Sequence, residues 1–581
     1  MRFNIIFANS VCLPNQMYQA LPVLAGALRD AGHATCMVDL NLLAMDRFLT
    51  VRSAEHYLSL AYSAIDQETM PDFARSLAEM EPKVRAGEQY KNVIRSPELG
   101  YDQAASKESF WGAVDALAFY YQLDRRISPH EPNFREELVQ HLDALPWSPL
   151  MDLYESDLLP AVFEGDPQAL GIVLAFPEQV VEALRLAKLV RERRPDVHVC
   201  IGGPLISLQP DKWLTDGWLL DHVDSVCVGD GELTVVELAA ALEGDGSLAS
   251  VTNLVWRTSE GELVYNDPVP KLTPMSAVPV PNFDHFDLGL YLFPEPVYPM
   301  MISRGCYWGR CTFCSIGWRE NYRVASEEKI RADVLDLARR GVKCMQLQDS
   351  SVPPRAARLL ARIVREEGLE LNWGGGMKFE ACFLDPEYCQ ELAEGGCVSL
   401  LMGFESAEQR ILDLMDKGYR AADCERMLTN LRAAGISVEM LWFIGFPGET
   451  RTDALSTIRW LYTHRHLFSL TAFVGDYLMH PDTIVYDDPE RFGVTLKDSM
   501  GDHMTYSVAE GMQPEEAREL KRMLSVCNNR TMTCAGFHVP HLARERLGLR
   551  ELGRPMEIAP EVLAFCEGSG NPPGSPRSAL Q

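Results

Sequence analysis

The sequence predicts an α/β protein made of two successive rounds of strand–helix alternation, and three observations carry that expectation. Short apolar runs recur between helical stretches over the first 280 or so residues, apart from one purely helical block. A second alternation starts near residue 299, after the proline-rich stretch "VPVPNFDHFD". Glycine turns such as "CIGGPLIS" and "VGDGE" follow the apolar runs, at the strand ends where doubly wound sheets bind ligands.

In the first half, "FNIIFAN" reads as a strand, "ALPVLAGALRDAGH" spaces its apolar residues as a helix does, and "ATCMVDLN" follows as a strand. From 49 to about 165 the pattern turns helical throughout, as in "AEHYLSLAYSAI", "DFARSLAEME" and "FREELVQHLDAL", with proline-containing breaks between. This predicts a helical insertion. Alternation resumes with "ALGIVLA", the helix "EQVVEALRLAKLVRERR", the strands "VHVCIGG" and "VDSVCVG", and the helix "GELTVVELAAALEG". Five strands separated by helices make a doubly wound, Rossmann-like parallel sheet, which the hairpin "NLVWRTSEGELVYN" closes.

The second half offers six candidate strands: "PMMIS", "KCMQLQ", "LELNWGG", "VSLLMG", "VEMLWFI" and "LTAFVGD". The helices between them carry apolar stripes; Ile330, Val334 and Leu337 fall on one face. Six repeats are too few for an eight-stranded barrel and predict an open, partial (β/α)6 barrel. The expected boundaries are a Rossmann-like domain at 1–280, a linker at 281–298, the barrel at 299–490, C-terminal helices at 491–566 and a disordered tail at 567–581.

Composition narrows the class. Hydrophobic residues make up 47% and charged residues 23% of 581, an ordinary globular balance. A net charge of −28 argues against a nonspecific nucleic-acid or anionic-membrane surface. No run approaches the ~18 apolar residues of a membrane span. The start "MRFNIIFANSVCLPNQ" lacks a signal peptide's apolar core and cleavage site, so a cytoplasmic location is expected.

Most cysteines, among them Cys344, Cys397 and Cys424, sit in apolar or helical stretches and read as small buried hydrophobes. Only Cys306, Cys311 and Cys314 cluster, in "SRGCYWGRCTFCSIGW", directly after the first barrel strand. Such folds place their active sites at that end. Thiolates bind soft metals, and a structural zinc site normally takes four ligands, often from two knuckles. No second knuckle follows. On the residues alone two readings stand: a [4Fe–4S] cluster with one iron left open, or zinc completed by a distant Cys or His.

The barrel half resembles the radical S-adenosylmethionine (SAM) superfamily, and the whole chain resembles its cobalamin-binding branch. Its cysteine spacing is Cys-x4-Cys-x2-Cys where that family usually has Cys-x3-Cys-x2-Cys; Gly309 in the enlarged loop suits the extra residue. The resemblance implies a [4Fe–4S] cluster on Cys306, Cys311 and Cys314, and places Phe313 by the adenine of SAM. "LLMGFESAEQRILDLMDKG" is similar to the family's fourth-strand segment, which makes Glu405 a contact to the SAM ribose or amino group, with Ser406 beside it capping the next helix. Without the resemblance, Glu405 reads as a first-turn residue of that helix. "LWFIGFPGET" is similar to the fifth-strand segment and puts Ile444 and Gly445 near the adenine. Lys378, in "GGGMKFE", occupies a position that is often basic in the family, facing either the SAM carboxylate or solvent.

In the first half, "LPVLAGALRDAGHATCMVDLN", "CIGGPLIS" and "VDSVCVGDGELTVVEL" resemble the cobalamin-binding domain. The resemblance makes Asn9, Ser10, Gly202, Gly203, Pro204, Gly229, Gly231 and Glu232 its cobalamin contacts, the glycines letting backbone approach the large ligand. The loop "ANSVCLPNQMY" has no His in place of the family's Asp-x-His-x-x-Gly, so no histidine ligand to cobalt is expected from it.

Taken together, the resemblance implies reductive SAM cleavage to a 5′-deoxyadenosyl radical, hydrogen abstraction from an unactivated carbon, and methyl transfer from methylcobalamin. It implies as partners a peptide or small biosynthetic substrate and a reductant such as flavodoxin or ferredoxin, with no nucleic acid and no membrane span. A radical cyclisation or rearrangement with the same cofactors is the rival within the enzyme class. A non-catalytic cobalamin-binding regulator is the rival outside it.

Overall fold

The computed structural model describes residues 1–9, 17–64, 71–100, 103–123, 133–245, 247–315, 321–500 and 503–525. The chain divides into two compact units, one ending at Pro296 and one starting at Val297.

The first unit is built on a seven-stranded sheet: β1 (Phe3–Phe7), β2 (Met37–Asp39), β3 (Ala169–Val173), β4 (His198–Gly202), β5 (Ser225–Cys227), β6 (Leu254–Arg257) and β7 (Leu263–Tyr265). The spatial order is β2-β1-β3-β4-β5-β6-β7, parallel through β5, with β6 and β7 antiparallel at the edge. Both β1 and β3 are buried along their whole length, which is why they read as unbroken apolar runs rather than alternating ones. Strand order reverses between β1 and β3, so the crevice at their C-terminal ends is the topological switch point where such sheets bind ligands.

Helices fill the stretch between β2 and β3, and they start earlier than residue 49. Asp39 ends β2 and its carboxylate accepts the Leu42 N–H at 2.9 Å, capping a helix at Leu40–Phe48. The following helices run from Val51–Ala64 to Phe134–Ala144. Phe48 stacks on Tyr120 at 4.5 Å. Asp46 takes Lys91 at 3.1 Å and Arg95 at 2.7 Å, so one buried carboxylate ties the helix Leu40–Phe48 to the helix Gly87–Arg95.

The second unit carries six parallel strands: β8 (Val297–Met300), β11 (Cys344–Leu347), β12 (Asn372–Lys378), β13 (Cys397–Glu405), β14 (Ser437–Ile444) and β15 (Leu470–Asp476), in the order β15-β14-β13-β12-β11-β8. The short pair β9 (Ser303–Arg304) and β10 (Arg323–Val324) flanks the cysteine loop. Cys344, Cys397 and Cys424 are buried in this unit.

The region after 491 departs from the helical expectation. It opens with an antiparallel hairpin, β16 (Val494–Met500) and β17 (His503–Val508), before the helix Pro514–Ser525. Val494 and Leu496 alternate with Thr495 and Lys497, a period-two pattern that favours a strand, and Val494, Tyr506 and Val508 pack around Phe446 and Tyr477. The expected helix beyond 525 and the tail at 567–581 lie outside the described residues. Among the described residues no helix is long and apolar enough to cross a membrane.

Candidate functional site

The cysteine loop leaves β8 at the C-terminal end of the barrel sheet, and Cys306 forms a parallel bridge with Ser351 beyond β11. Cys306, Cys311 and Cys314 are free thiols, each partly exposed. Burial, with the nearby charges of Cys314 and Glu405, pushes the Cys311 thiol up to about 12, although Lys417 opposes it. Iron binding there must displace that proton. Among the described residues no three His, Cys, Asp or Glu side chains converge on one ion position. Three thiols carried on one loop are a donor set that fits a [4Fe–4S] cluster, which takes each sulfur on a separate iron.

Three of the four residues between the first two cysteines are pinned by side-chain contacts, and the fourth is a glycine. Gly309 takes φ +59°, a left-handed conformation that suits glycine. The Tyr307 hydroxyl donates to Glu380 at 2.7 Å. The Trp308 indole N–H donates to the Asp416 carbonyl at 2.7 Å, while Arg310 pairs with the Asp416 carboxylate at 2.9 Å. Gly418, at φ +70°, leaves room for the Trp308 ring, which a β-carbon there would overlap.

Lys378 belongs to this clamp. It is the last residue of β12, and its ammonium lies 4.2 Å from the centre of the Trp308 ring and 2.9 Å from Glu380. It is also buried, which removes the solvated alternative.

Glu405 ends β13; the next helix begins only at Gln409, so the first-turn reading does not hold. Pairing with β14 skips from Gly403 to Glu405, and Glu405 takes φ +60°. Bulges of this kind re-aim a side chain beside a site. Here the carboxylate turns back over Gly403 and meets the Lys417 ammonium at 2.9 Å. Burial pulls the Lys417 ammonium down, but Glu405 and the thiols of Cys311 and Cys314 outweigh it and hold it above the ordinary lysine value. Ser406 is buried, accepts the Glu408 N–H at 3.2 Å and shares a hydrogen bond with Thr457. Its hydroxyl therefore shapes the turn.

Phe313 lies 5.1 Å from Phe443 and 6.4 Å from Phe446, which flank Ile444 and Gly445 at the end of β14. The fold thus brings together Phe313, Glu405, Ile444 and Gly445 at one end of the barrel sheet. On its Cβ side Gly445 faces Ala517 of the helix Pro514–Ser525, so that glycine also makes room for protein.

In the first unit the switch-point crevice is clamped by Gln179. Its amide donates to the Ala8 carbonyl at 2.7 Å and accepts the N–H groups of Ala175 and Phe176. Asn9 is buried beside it and donates to the Leu40 carbonyl at 3.4 Å. Ser10 lies outside the described residues. The turns after β4 and β5 are bridged by Ser207, which accepts the Gly229 N–H at 2.9 Å. Pro204 opens the helix Pro204–Leu208, and Glu232 is buried in the first turn of the helix Gly231–Ala240.

On their Cβ side the glycines here answer to protein neighbours. A β-carbon on Gly202 would sit 3.0 Å from Cys227, and one on Gly229 2.8 Å from Pro270. Gly203, at φ +117°, is closed off by Leu174, and Gly231 faces Leu24 and Cys227. What the turns present at the sheet edge is backbone. That rim of amides at a switch point fits a cofactor rich in amide side chains, met by main chain rather than through vacated side-chain space.

Sequence reasoning missed Lys417, Trp308, Gly403, Gln179 and Ser207 as working parts. The only local signal was the Lys-Gly pair ending "MDKG", an ordinary helix terminus by itself.

A three-thiol loop at the mouth of a partial barrel, preceded by a doubly wound sheet with a backbone-lined switch point, has the parts of an iron–sulfur site and of a separate cofactor domain. Residues 300–461 match the radical SAM superfamily model, and residues 139–239 match the B12 binding domain model. The chain thus carries a radical SAM domain and a B12-binding domain, and these two domains imply a [4Fe–4S] cluster, SAM and cobalamin. It is 27% identical over 53% of its length to an uncharacterized methyltransferase of Pyrococcus horikoshii, covering 67% of that protein. It is 25% identical over 51% of its length to the cytidylyl-2-hydroxyethylphosphonate methyltransferase of Streptomyces wedmorensis, covering 61% of it. The fold is similar to that of the radical SAM methyltransferase TsrM from Kitasatospora setae, solved with cobalamin and a [4Fe–4S] cluster bound, with a TM-score of 0.50 and 16% identity over 89% of this chain and 80% of that one.

Proposed function

We propose that the chain methylates an unactivated carbon of a peptide or small biosynthetic molecule, drawing electrons from a flavodoxin- or ferredoxin-type reductant. The observation that carries this reading is the union, in one chain, of the three-thiol loop at the barrel mouth with the B12-type sheet, in a protein similar to methyltransferases. When bound, SAM at the cluster supplies a radical and cobalamin supplies a methyl group.

The residues divide the labour. Cys306, Cys311 and Cys314 hold three irons and leave one open. Phe313, Ile444 and Gly445 flank the adenine, and Glu405 takes the ribose or amino group. Lys378 holds the Phe379 carbonyl and the Glu380 carboxylate, and Ser406 holds the turn after Glu405. The main chain at Gly202–Pro204 and Gly229–Glu232, with Asn9 and Ser10, meets cobalamin. The sheet at 1–280, with its helical insertion, and the barrel at 299–490 serve as the two catalytic domains.

Anaerobic reconstitution with iron, sulfide, cobalamin, SAM carrying a labelled methyl group, and reductant tests the reading. Release of 5′-deoxyadenosine and passage of the label into substrate are the expected results. Release of 5′-deoxyadenosine with an unlabelled, rearranged product would make the enzyme a cyclase or mutase. Protein that takes up iron but neither cleaves SAM nor retains cobalamin would overturn the proposal.

A further inference from the structure

The short turn Met415–Gly418 touches both halves of the barrel site. Its Asp416 carbonyl and carboxylate hold Trp308 and Arg310 of the cysteine loop, and the Met415 carbonyl accepts the Thr312 N–H at 3.0 Å. Lys417 sits between these contacts. Its ammonium reaches Glu405 at 2.9 Å and lies 5.7 Å from the centre of the Phe313 ring, the residue just before Cys314. Both members of the pair are buried.

Space has been kept for this pair. A β-carbon at Gly403 would lie 2.5 Å from the Glu405 carboxylate and 3.0 Å from the Lys417 ammonium. Glu405 itself adopts a left-handed backbone conformation that a non-glycine residue rarely takes, at a bulge in β13. A buried ion pair that costs strain and desolvation is poor evidence of stabilisation, because an apolar pair of similar volume would often do as well. Such strain clusters where a group must be aimed.

We propose that Lys417 is a positioning residue of the SAM site: it fixes the Glu405 carboxylate over Gly403 in the orientation that receives SAM, and ties that orientation to the cysteine loop through the Asp416–Gly418 turn. This rests on the reading of Glu405 as a SAM contact. Lys417 touches neither SAM nor iron in this account and acts through Glu405.

Equilibrium SAM binding to the anaerobically reconstituted full chain tests it, with iron content and the electron paramagnetic resonance shift of the reduced cluster on SAM addition as further readouts. Lys417→Met should keep wild-type iron content, weaken SAM binding at least tenfold and abolish the spectral shift, and Lys417→Arg should restore binding to within about threefold. Wild-type affinity in Lys417→Met would overturn the proposal. Removing Lys417 alone strands a buried carboxylate, so the decisive comparison is Glu405→Gln, whose amide oxygen can still accept from the Lys417 ammonium, against Glu405→Gln with Lys417→Met, in which neither charge is present. Equal affinities within twofold support positioning, since residues acting through one another are not additive. A further fivefold loss in the double variant would mean that Lys417 acts on its own and would overturn it. Unchanged SAM binding in Glu405→Gln would instead remove Glu405 from the site, and the proposal with it, while leaving the enzyme class intact.

Discussion

A β-carbon on Gly203 would overlap the carbonyl oxygen of Leu174 and lie 2.9 Å from its nitrogen. The turn after β4 is folded onto the end of β3, where the Leu174 N–H donates to the Gly202 carbonyl at 2.8 Å. Main chain packs directly on main chain, at a φ of +117° that other residues avoid.

Gly203→Ala is therefore expected to destabilise the first unit by about 3 kcal/mol or more, combining backbone strain with overpacking. The loss should appear in chemical denaturation of the apoprotein, before any cofactor is added. An alanine variant as stable as the wild type, yet unable to take up cobalamin, would show instead that the space beside this glycine belongs to the ligand.

Removing any one of Cys306, Cys311 and Cys314 by Cys→Ala should abolish the cluster. Two thiolates are left for a cubane that already has one iron without a protein ligand. Iron and sulfide analysis after reconstitution checks this, and near-stoichiometric iron in all three variants would refute it. Cys344→Ala, in the core of β11, should keep its iron and lose only packing.

Glu449 makes stability depend on pH. Burial pushes its carboxyl up to about 8, against the N–H groups of Gly445 and Phe446 that favour the charged form. Between the ordinary value of 4.5 and about 8 the folded chain keeps a proton that the unfolded chain gives up. Stability from this group is thus full below the lower value and falls as pH rises to the upper one, by on the order of a few kcal/mol. Glu449→Gln still offers an amide oxygen to the Gly445 N–H and should flatten that fall. Melting curves of both proteins at pH 5 and pH 8 check it; parallel losses in the two would show that Glu449 does not titrate in this range. The difference between proteins isolates Glu449 from Asp39 and Asp349, whose carboxyls burial also raises, each to about 6.

The sequence by itself determined the order of elements, the two α/β halves, the helical insertion and the cysteine loop. These are local properties. A buried parallel strand announces itself by an unbroken apolar run, as in "FNIIF" and "ALGIV", and three thiols within nine residues must lie close whatever the fold. The hairpin at β16 and β17 was equally local in its alternation, but it is short and followed by a strong helix, which masked it.

Only the tertiary structure decided what the single residues do. Lys378 ends a strand and Lys417 follows a helix terminus, both ordinary places for a lysine, yet one meets Glu380 and Trp308 and the other Glu405. The difference comes from a bulge in β13 and from where one turn lands, and neither leaves a periodic trace in the sequence. Gly203 and Gly403 show the same limit. A glycine is required wherever something comes close, and the sequence records the closeness without saying what approaches: the backbone of Leu174 in one case, a buried ion pair in the other.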